Sequence, residues 1–314
     1  MNQKKVLVVS YSQTGQLTKV VNNFTKLFLE DESIQIVHKN IKPKKSYPFP
    51  WDLMTFMDTF PESVHLVACE IEDFEDDNDY DLIILSYQVW FLSPSIPVTS
   101  FLKSDWAKKK FANKPVITLI GCRNMWIMAQ EKMKQLLIDL NANLIDNVVL
   151  IDKGNSLETF ITTPRWMLTG KKNSILGLST AGIDENEIVK SQRFGKALLN
   201  ALKNNKEKEN KSLLWGLKAV EVNAKLIKSE KIATKSFLIW GSLIRKLGKP
   251  GSLKRKPIVM LYLVFLLFMI ITVVPINMII QSILRIVNEK SVKKQKEFYE
   301  LPSGSSEERM KDFQ

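Results

Sequence analysis

Ser12-Gln13-Thr14-Gly15-Gln16-Leu17-Thr18 follows directly on the apolar run Val6-Leu7-Val8-Val9 and opens a helical stretch from Leu17 to Leu29. A buried parallel strand ending near Ser10, a hydroxyl-rich turn with one glycine and a helix N-terminus would aim backbone N–H groups and side-chain hydroxyls at one point. That point suits a phosphate. No lysine follows Gly15 as in a P-loop, and Gly-x-Gly-x-x-Gly is absent, so neither the triphosphate nor the dinucleotide motif applies. What remains is a terminal monophosphate held by neutral dipoles.

Two later loops carry the other candidate groups. Tyr87-Gln88-Val89-Trp90-Phe91-Leu92-Ser93-Pro94-Ser95-Ile96-Pro97 is a stiff, largely apolar wall with a few polar atoms, suited to the face of a planar heterocycle. Gly121-Cys122-Arg123-Asn124-Met125-Trp126 adds a cation, an amide and another indole. Taken singly, Trp90 and Trp126 read as core residues and Arg123 as the partner of a surface acid. Together, at strand ends facing the phosphate turn, they read as a ring-binding wall.

The elements that must position these loops are readable from periodicity. Apolar strand-like runs occur at Lys5 to Ser10, Ile34 to Val37, Leu82 to Ser86, Val116 to Gly121 and Val148 to Ile151. Helical stretches separate or follow them at Leu17 to Leu29, Trp51 to Thr59, Val98 to Phe111, Ala129 to Leu140 and Asn186 to Leu202. Strands alternating with helices predict a five-stranded, doubly wound parallel sheet whose ligand lies at the carboxyl ends of the strands. Asn155 to Lys172 reads as an insertion that covers the ligand or receives apolar chains, or as an ordinary packed excursion.

Composition limits the alternatives. Cys69 and Cys122 have no metal-ligand spacing, no secretory signal precedes the first strand, and His38 and His65 are the only histidines. A disulfide framework and a histidine-rich metal site are excluded. Met1 to Leu202 carries 23 Lys+Arg against 23 Asp+Glu, whereas Lys203 to Gln314 carries 22 against 10. The surplus in the last third points away from nucleic acid as ligand of the first domain and toward an anionic surface met by the tail.

Pro257 to Leu284 has no charged residue and as a helix would reach about 42 Å, more than the roughly 30 Å hydrocarbon core of a bilayer. It reads as a transmembrane or re-entrant segment; a single tilted span is expected, and a hairpin returning to the cytoplasmic side also fits, because basic residues flank both ends. Upstream, Leu213, Leu214, Leu217, Val220, Ala224, Ile227 and Ile232 recur at helical spacing among lysines, as in a helix lying on an anionic bilayer or packed on the domain. The expected organisation is 1–202 a ligand-binding domain, 203–256 a basic amphipathic helical linker, 257–287 the membrane segment and 288–314 a basic to disordered tail, with the domain in the cytoplasm.

The strand and the Ser12 to Thr18 loop resemble the FMN phosphate loop of flavodoxins, and the two later loops match where flavodoxin-like proteins hold the isoalloxazine ring. More narrowly, Ser86-Tyr87-Gln88-Val89-Trp90-Phe91-Leu92-Ser93-Pro94, Gly121-Cys122-Arg123-Asn124-Met125-Trp126 and Thr162-Thr163-Pro164-Arg165-Trp166 resemble the dialkylresorcinol condensing enzyme (aromatase) family of flexirubin-type pigment clusters. The first resemblance implies FMN held by Ser10, Ser12, Thr14, Gly15, Gln16, Leu17, Thr18, Gln88, Val89, Trp90, Phe91, Gly121, Cys122, Arg123, Asn124 and Trp126. Gln16 stands where flavodoxins often have asparagine.

The second implies a membrane-anchored oxidoreductase that aromatises 2,5-dialkylcyclohexane-1,3-diones to 2,5-dialkylresorcinols, with a lipophilic substrate and a ketosynthase of the same pathway as partners. Arg123 would stabilise the negative charge left on the reduced flavin. Two rival readings are a flavodoxin-type electron carrier or NAD(P)H:acceptor flavin reductase, and a non-enzymatic membrane module with a decayed flavin site.

Overall fold

The run Lys4 to Ser10 forms strand β1, whose residues from Val6 onward are buried on both faces, as a central parallel strand requires. In this computed structural model, residues 3–313 are described apart from 155, 175, 176, 274, 275 and 277–288. In chain order β1 is followed by α1 (Gln16–Leu29), β2 (Ile34–Asn40), α2 (Leu53–Val64), β3 (Leu82–Trp90), β4 (Ser93–Pro94), α3 (Ile96–Leu102), α4 (Asp105–Phe111), β5 (Pro115–Cys122), α5 (Ile127–Asp139) and β6 (Asn143–Ile151). Then come α6 (Ser156–Thr169), α7 (Glu185–Lys190), α8 (Gln192–Lys203), α9 (Ile227–Lys246), α10 (Lys256–Phe268), α11 (Glu289–Glu300) and α12 (Met310–Phe313).

The sheet order is β2-β1-β3-β5-β6, all parallel, with the two-residue β4 folding back antiparallel on the end of β3. Without that hairpin this is the flavodoxin-like doubly wound order expected from the sequence. The chain leaves β1 toward β2 on one side and reaches β3 on the other, so the crevice for a ligand opens beyond Ser10 and Ser86, which are in register. Helix α1 buries Val20, Val21, Phe24 and Phe28 on the sheet, each phenylalanine contributing on the order of 2 kcal/mol. Gly195 lets α8 lie against α1, since a Cβ there would sit 2.0 Å from the Phe24 carbonyl oxygen.

Expected helices at Val98 to Phe111 and Asn186 to Leu202 are each broken in two. Ser104 ends the first piece and caps the second, its hydroxyl accepting from the Ala107 N–H, and Ser191 is the hinge of the other pair. The last strand starts five residues before the expected Val148 because Asp146 and Asn147, polar and fully buried, belong to it.

The domain does not stop at Leu202. Leu213, Leu214, Leu217, Val220 and Val222 fill the same core as the sheet, and Ala219 accepts a hydrogen bond from the β6 N–H of Val149 at 2.9 Å. Asp146 of β6 receives the Ser212 and Ser303 hydroxyls at 2.6 and 2.7 Å and the Leu213 N–H at 2.7 Å. Burial raises its carboxyl to about 6, with these donors opposing the shift. The amphipathic linker expected over 203–256 is therefore corrected: its apolar residues near 213–222 face the core, not a lipid surface.

The expected disordered tail is corrected as well. Ser303 is fully buried and also accepts the Asn147 N–H at 2.7 Å, and Arg309 donates to the Leu213 and Trp215 carbonyls.

Among the described residues no helix is long and apolar enough to cross a membrane. Helix α10 packs Val259 and Tyr262 against Met57, Phe60 and Val64 of α2 and Ile244 of α9. Arg255, fully buried, pairs with Glu62 and Asp58 of α2, each at 2.9 Å. Chain on both sides of the apolar stretch is thus buried against one body. Residues 274, 275 and 277–287 of the expected membrane segment lie outside the described residues.

Candidate functional site

The turn after β1 is shaped by Gly15, which sits in the left-handed region at φ 78° and ψ −12° as the N-cap of α1. Nothing lies within 4 Å of the place a Cβ would take, so the turn opens to solvent there. Ser12 Oγ accepts the Thr18 N–H at 3.3 Å and Thr14 Oγ1 accepts the Gln16 N–H at 3.4 Å. Each hydroxyl keeps its own O–H to donate outward. The first turn of α1 holds no acid, so N–H groups, hydroxyls and helix dipole all favour an anion at this point.

Gln16 is turned away from that turn. Its Nε2 donates to the Ile183 carbonyl at 3.1 Å and its Oε1 accepts the Ile183 N–H at 3.2 Å. Gly182, at φ 89°, brings its backbone so close that a Cβ would lie 2.8 Å from the Gln16 amide and 3.0 Å from Trp166. The Gly182 N–H donates to Asp152 Oδ2 at 2.8 Å, just beyond β6. The phosphate-type turn is thus joined, through the 182–183 backbone, to the end of β6.

Ser10 donates to Asn40 of β2 at 3.1 Å and is buried, so it ties the two strands together. Leu17 is core; its Cδ1 would meet a Cβ on Gly121 at 2.9 Å, which makes Gly121 the residue that lets α1 approach β5. Thr18 is exposed and contributes its N–H.

Trp90 and Trp126, expected in a ring-binding wall, are both buried. Trp90 packs at 5.0–6.0 Å between centroids with Tyr11, Tyr47 and Trp51, and its carbonyl accepts the Ser63 hydroxyl. Trp126 is 2% exposed at the start of α5. Phe91, at φ 48°, turns toward Phe56 and Phe60 of α2, and Val89 sits in the β3–β4 hairpin. Gln88 stays at the edge, paired in register with Gly121, and its Nε2 is buried with no hydrogen-bond partner.

Beyond β5, burial pushes the Cys122 thiol well above its usual range, with Glu230 and Asp152 adding to it. Arg123 lies with its guanidinium 3.9 Å from the Phe160 ring centroid and its Nε donating to Thr159 at 3.0 Å, both on α6. Burial lowers its pKa and the charge of Asp152 opposes this. Asn124 is half-buried beside it.

The sequence did not point to Phe49, Asp152, Gly182 or Glu230, whereas Trp166 lies in the 155–172 stretch read as an insertion that covers the ligand. Phe49 meets Trp166 edge-on at 6.0 Å, and the Trp51 N–H donates to the Met167 carbonyl at 2.8 Å, so α6 and the 47–51 loop close together over the turn. Gln13 fastens that loop, donating to the Pro48 carbonyl and accepting from the Trp51 indole. Glu230 of α9 caps α5, accepting the Met128 N–H at 3.0 Å; burial raises its carboxyl to about 8. The run Pro48 to Asp52, with two prolines around an aromatic, was the one available signal.

A polar cleft of about 1120 Å³ opens at the opposite, amino edge of the sheet, between Lys4, Asp81, Lys114 and Glu207. Its charges are already paired, Lys4 with Glu207 at 2.6 Å and with Asp81 at 3.4 Å, so it offers no converging site.

No family model matches the chain, and no curated protein matches it. Among solved structures it is similar to a flavoprotein in complex with FMN from Lactobacillus acidophilus NCFM, at 20% identity over 47% of this chain and 93% of that one with a TM-score of 0.37. It is also similar to oxidised flavodoxin 1 from Bacillus cereus, at 13% identity over 63% of this chain and 98% of that one with a TM-score of 0.34.

Proposed function

We propose that the chain is an FMN-dependent redox protein whose cofactor phosphate sits on the turn after β1. The observation that carries this reading is the pair of hydroxyls, Ser12 and Thr14, each accepting a first-turn N–H of α1 at the switch point of a 2-1-3-5-6 sheet. The donor set suits a dianion and contains no carboxylate. The buried, unpartnered Gln88 Nε2 at the next strand end is a donor of the kind a flavin carbonyl or ring nitrogen would satisfy.

Ser12, Thr14 and the N–H groups of residues 15–18 would hold the phosphate, and Gln88, Phe49 and Trp166 are the groups available to the ring. Bound FMN would supply a two-electron acceptor. Phe49 and Trp166 pack edge-on where α6 meets the 47–51 loop, Gln16 and Asp152 keep the 182–183 backbone against the turn, and Arg123 presents positive charge beside the β5 end. For the narrower activity we propose oxidation of 2,5-dialkylcyclohexane-1,3-diones to 2,5-dialkylresorcinols, a substrate whose hydrogen between two carbonyls is acidic enough to need no strong base.

The burial of Trp90 and Trp126 favours a second reading, electron transfer without a substrate pocket. Both readings are tested by titrating the full chain with FMN and riboflavin and following flavin fluorescence, then adding a 2,5-dialkylcyclohexane-1,3-dione. FMN is expected to bind at least about 100-fold more tightly than riboflavin, the margin of two or more charge-assisted hydrogen bonds. Equal binding of the two would remove the phosphate assignment. Dione-dependent bleaching of the flavin distinguishes the oxidase from the carrier.

A further inference from the structure

The structure points to a one-sided membrane seat formed by α10 and the outer face of α9. Helix α10 divides cleanly: Arg255, Val259 and Tyr262 face α2 and α9, while Met260, Leu261, Val264, Leu267, Phe268 and Ile271 are all exposed. Those exposed positions recur every three or four residues, so they form one stripe along the helix and its continuation. On α9, Ile232, Ile239 and Leu243 share an exposed face with Lys235 and Lys246 between and beyond them. An exposed apolar stripe of this kind marks an interaction site.

The occupant we commit to is one leaflet of an anionic bilayer. Lys246, Lys249, Lys254 and Lys256 are exposed around the α9–α10 connection, in a stretch from Lys203 onward that carries 22 basic against 10 acidic residues. Lysines ringing an apolar face match phosphate headgroups around acyl chains. The path of the chain fixes the topology. Gly241 brings α9 within contact of Val64 and His65, Arg255 is locked to Glu62 and Asp58, and after the apolar stretch Tyr299 and Ser303 are buried in the sheet domain. The flanks on either side of the apolar stretch therefore belong to one body, and the seat proposed for α10 and α9 rests on one leaflet. This proposal is independent of the flavin assignment.

The test uses the full chain and vesicles of phosphatidylcholine with or without phosphatidylglycerol. Cosedimentation is expected with the anionic vesicles and is expected to weaken on adding salt. Lys235→Glu with Lys246→Glu should lower binding to anionic vesicles by roughly tenfold or more, since each lysine near a charged surface is worth about 1 kcal/mol. Leu261→Glu with Val264→Glu, both at exposed positions, should abolish it while leaving the circular dichroism spectrum and melting profile unchanged. Lys254→Cys and Lys311→Cys variants added to sealed vesicles should both react with a membrane-impermeant maleimide in the outer medium. Protection of either cysteine, absence of vesicle binding, or a change in oligomeric state without a change in vesicle binding for the glutamate pair would each overturn the proposal.

Discussion

Gln16 and Ile183 exchange two hydrogen bonds, amide to backbone, across 167 residues of sequence. The side chain expected to cap the phosphate turn instead ties the first turn of α1 to the segment that Asp152 holds from the end of β6. Gly182→Ala tests this tie, because the new Cβ would meet the Gln16 amide at 2.8 Å and Trp166 at 3.0 Å on a backbone at φ 89°. The variant should lose about 1–3 kcal/mol of stability and hold FMN roughly tenfold more weakly, read by thermal melting and fluorescence titration.

Thr14→Glu places a carboxylate against the anion point that Ser12, Thr14 and the α1 N-terminus create. FMN binding should vanish while the fold survives, as the turn is open to solvent. Unchanged flavin occupancy on purification would move the phosphate elsewhere.

Arg123→Met removes both the Thr159 hydrogen bond and the guanidinium stacked on Phe160. Most flavin should remain bound, its reduction potential should fall, and dione oxidation should slow by on the order of 10²-fold. Limited proteolysis within α6 should accelerate as well. An unaltered potential with faster proteolysis would make Arg123 a positioning residue for α6 alone.

Glu230 has its carboxyl raised from 4.5 to about 8 by burial. Between these values the folded protein keeps a proton that the unfolded chain releases, so the contribution of Glu230 to stability is full below about pH 4.5 and is lost toward pH 8. Glu230→Gln should flatten that decline, worth on the order of 3 to 5 kcal/mol across the window. Denaturant melts of both proteins at pH 5 and pH 8 measure the difference; parallel slopes would show that Glu230 does not titrate there.

Truncation after Leu202 should give an insoluble or molten product. Leu213, Leu214 and Leu217 would be missing from the core, and Asp146 would keep none of the Ser212, Leu213 and Ser303 donors. A cooperative thermal transition in that fragment would contradict this view of the domain.

The central strands were legible because β1, β3 and β5 are buried on both faces and read as unbroken apolar runs. Strand β6 was half hidden, since Asp146 and Asn147 interrupt its apolar run and only tertiary partners such as Ser212, Ser303 and Thr118 explain them. The phosphate-type turn was legible as strand, hydroxyls and glycine in sequence. The ring side was not, because an exposed indole at a strand end and the buried Trp90 or Trp126 have the same one-dimensional signature. Apolar residues at helical spacing, such as Leu213 and Leu217, serve equally as a lipid-facing stripe or as core, and periodicity cannot say which body receives them.

Ser303 reaches Asp146 across 157 residues. At roughly 5–20 residues per second, translation exposes Asp146 for on the order of ten seconds before Ser303 is made. The apolar stretch after Pro257 is synthesised inside that interval, while β6 still lacks its final partner. Closure of the sheet domain therefore waits on residues made after the apolar stretch, so the order of synthesis sets the order in which β6 gains its partners.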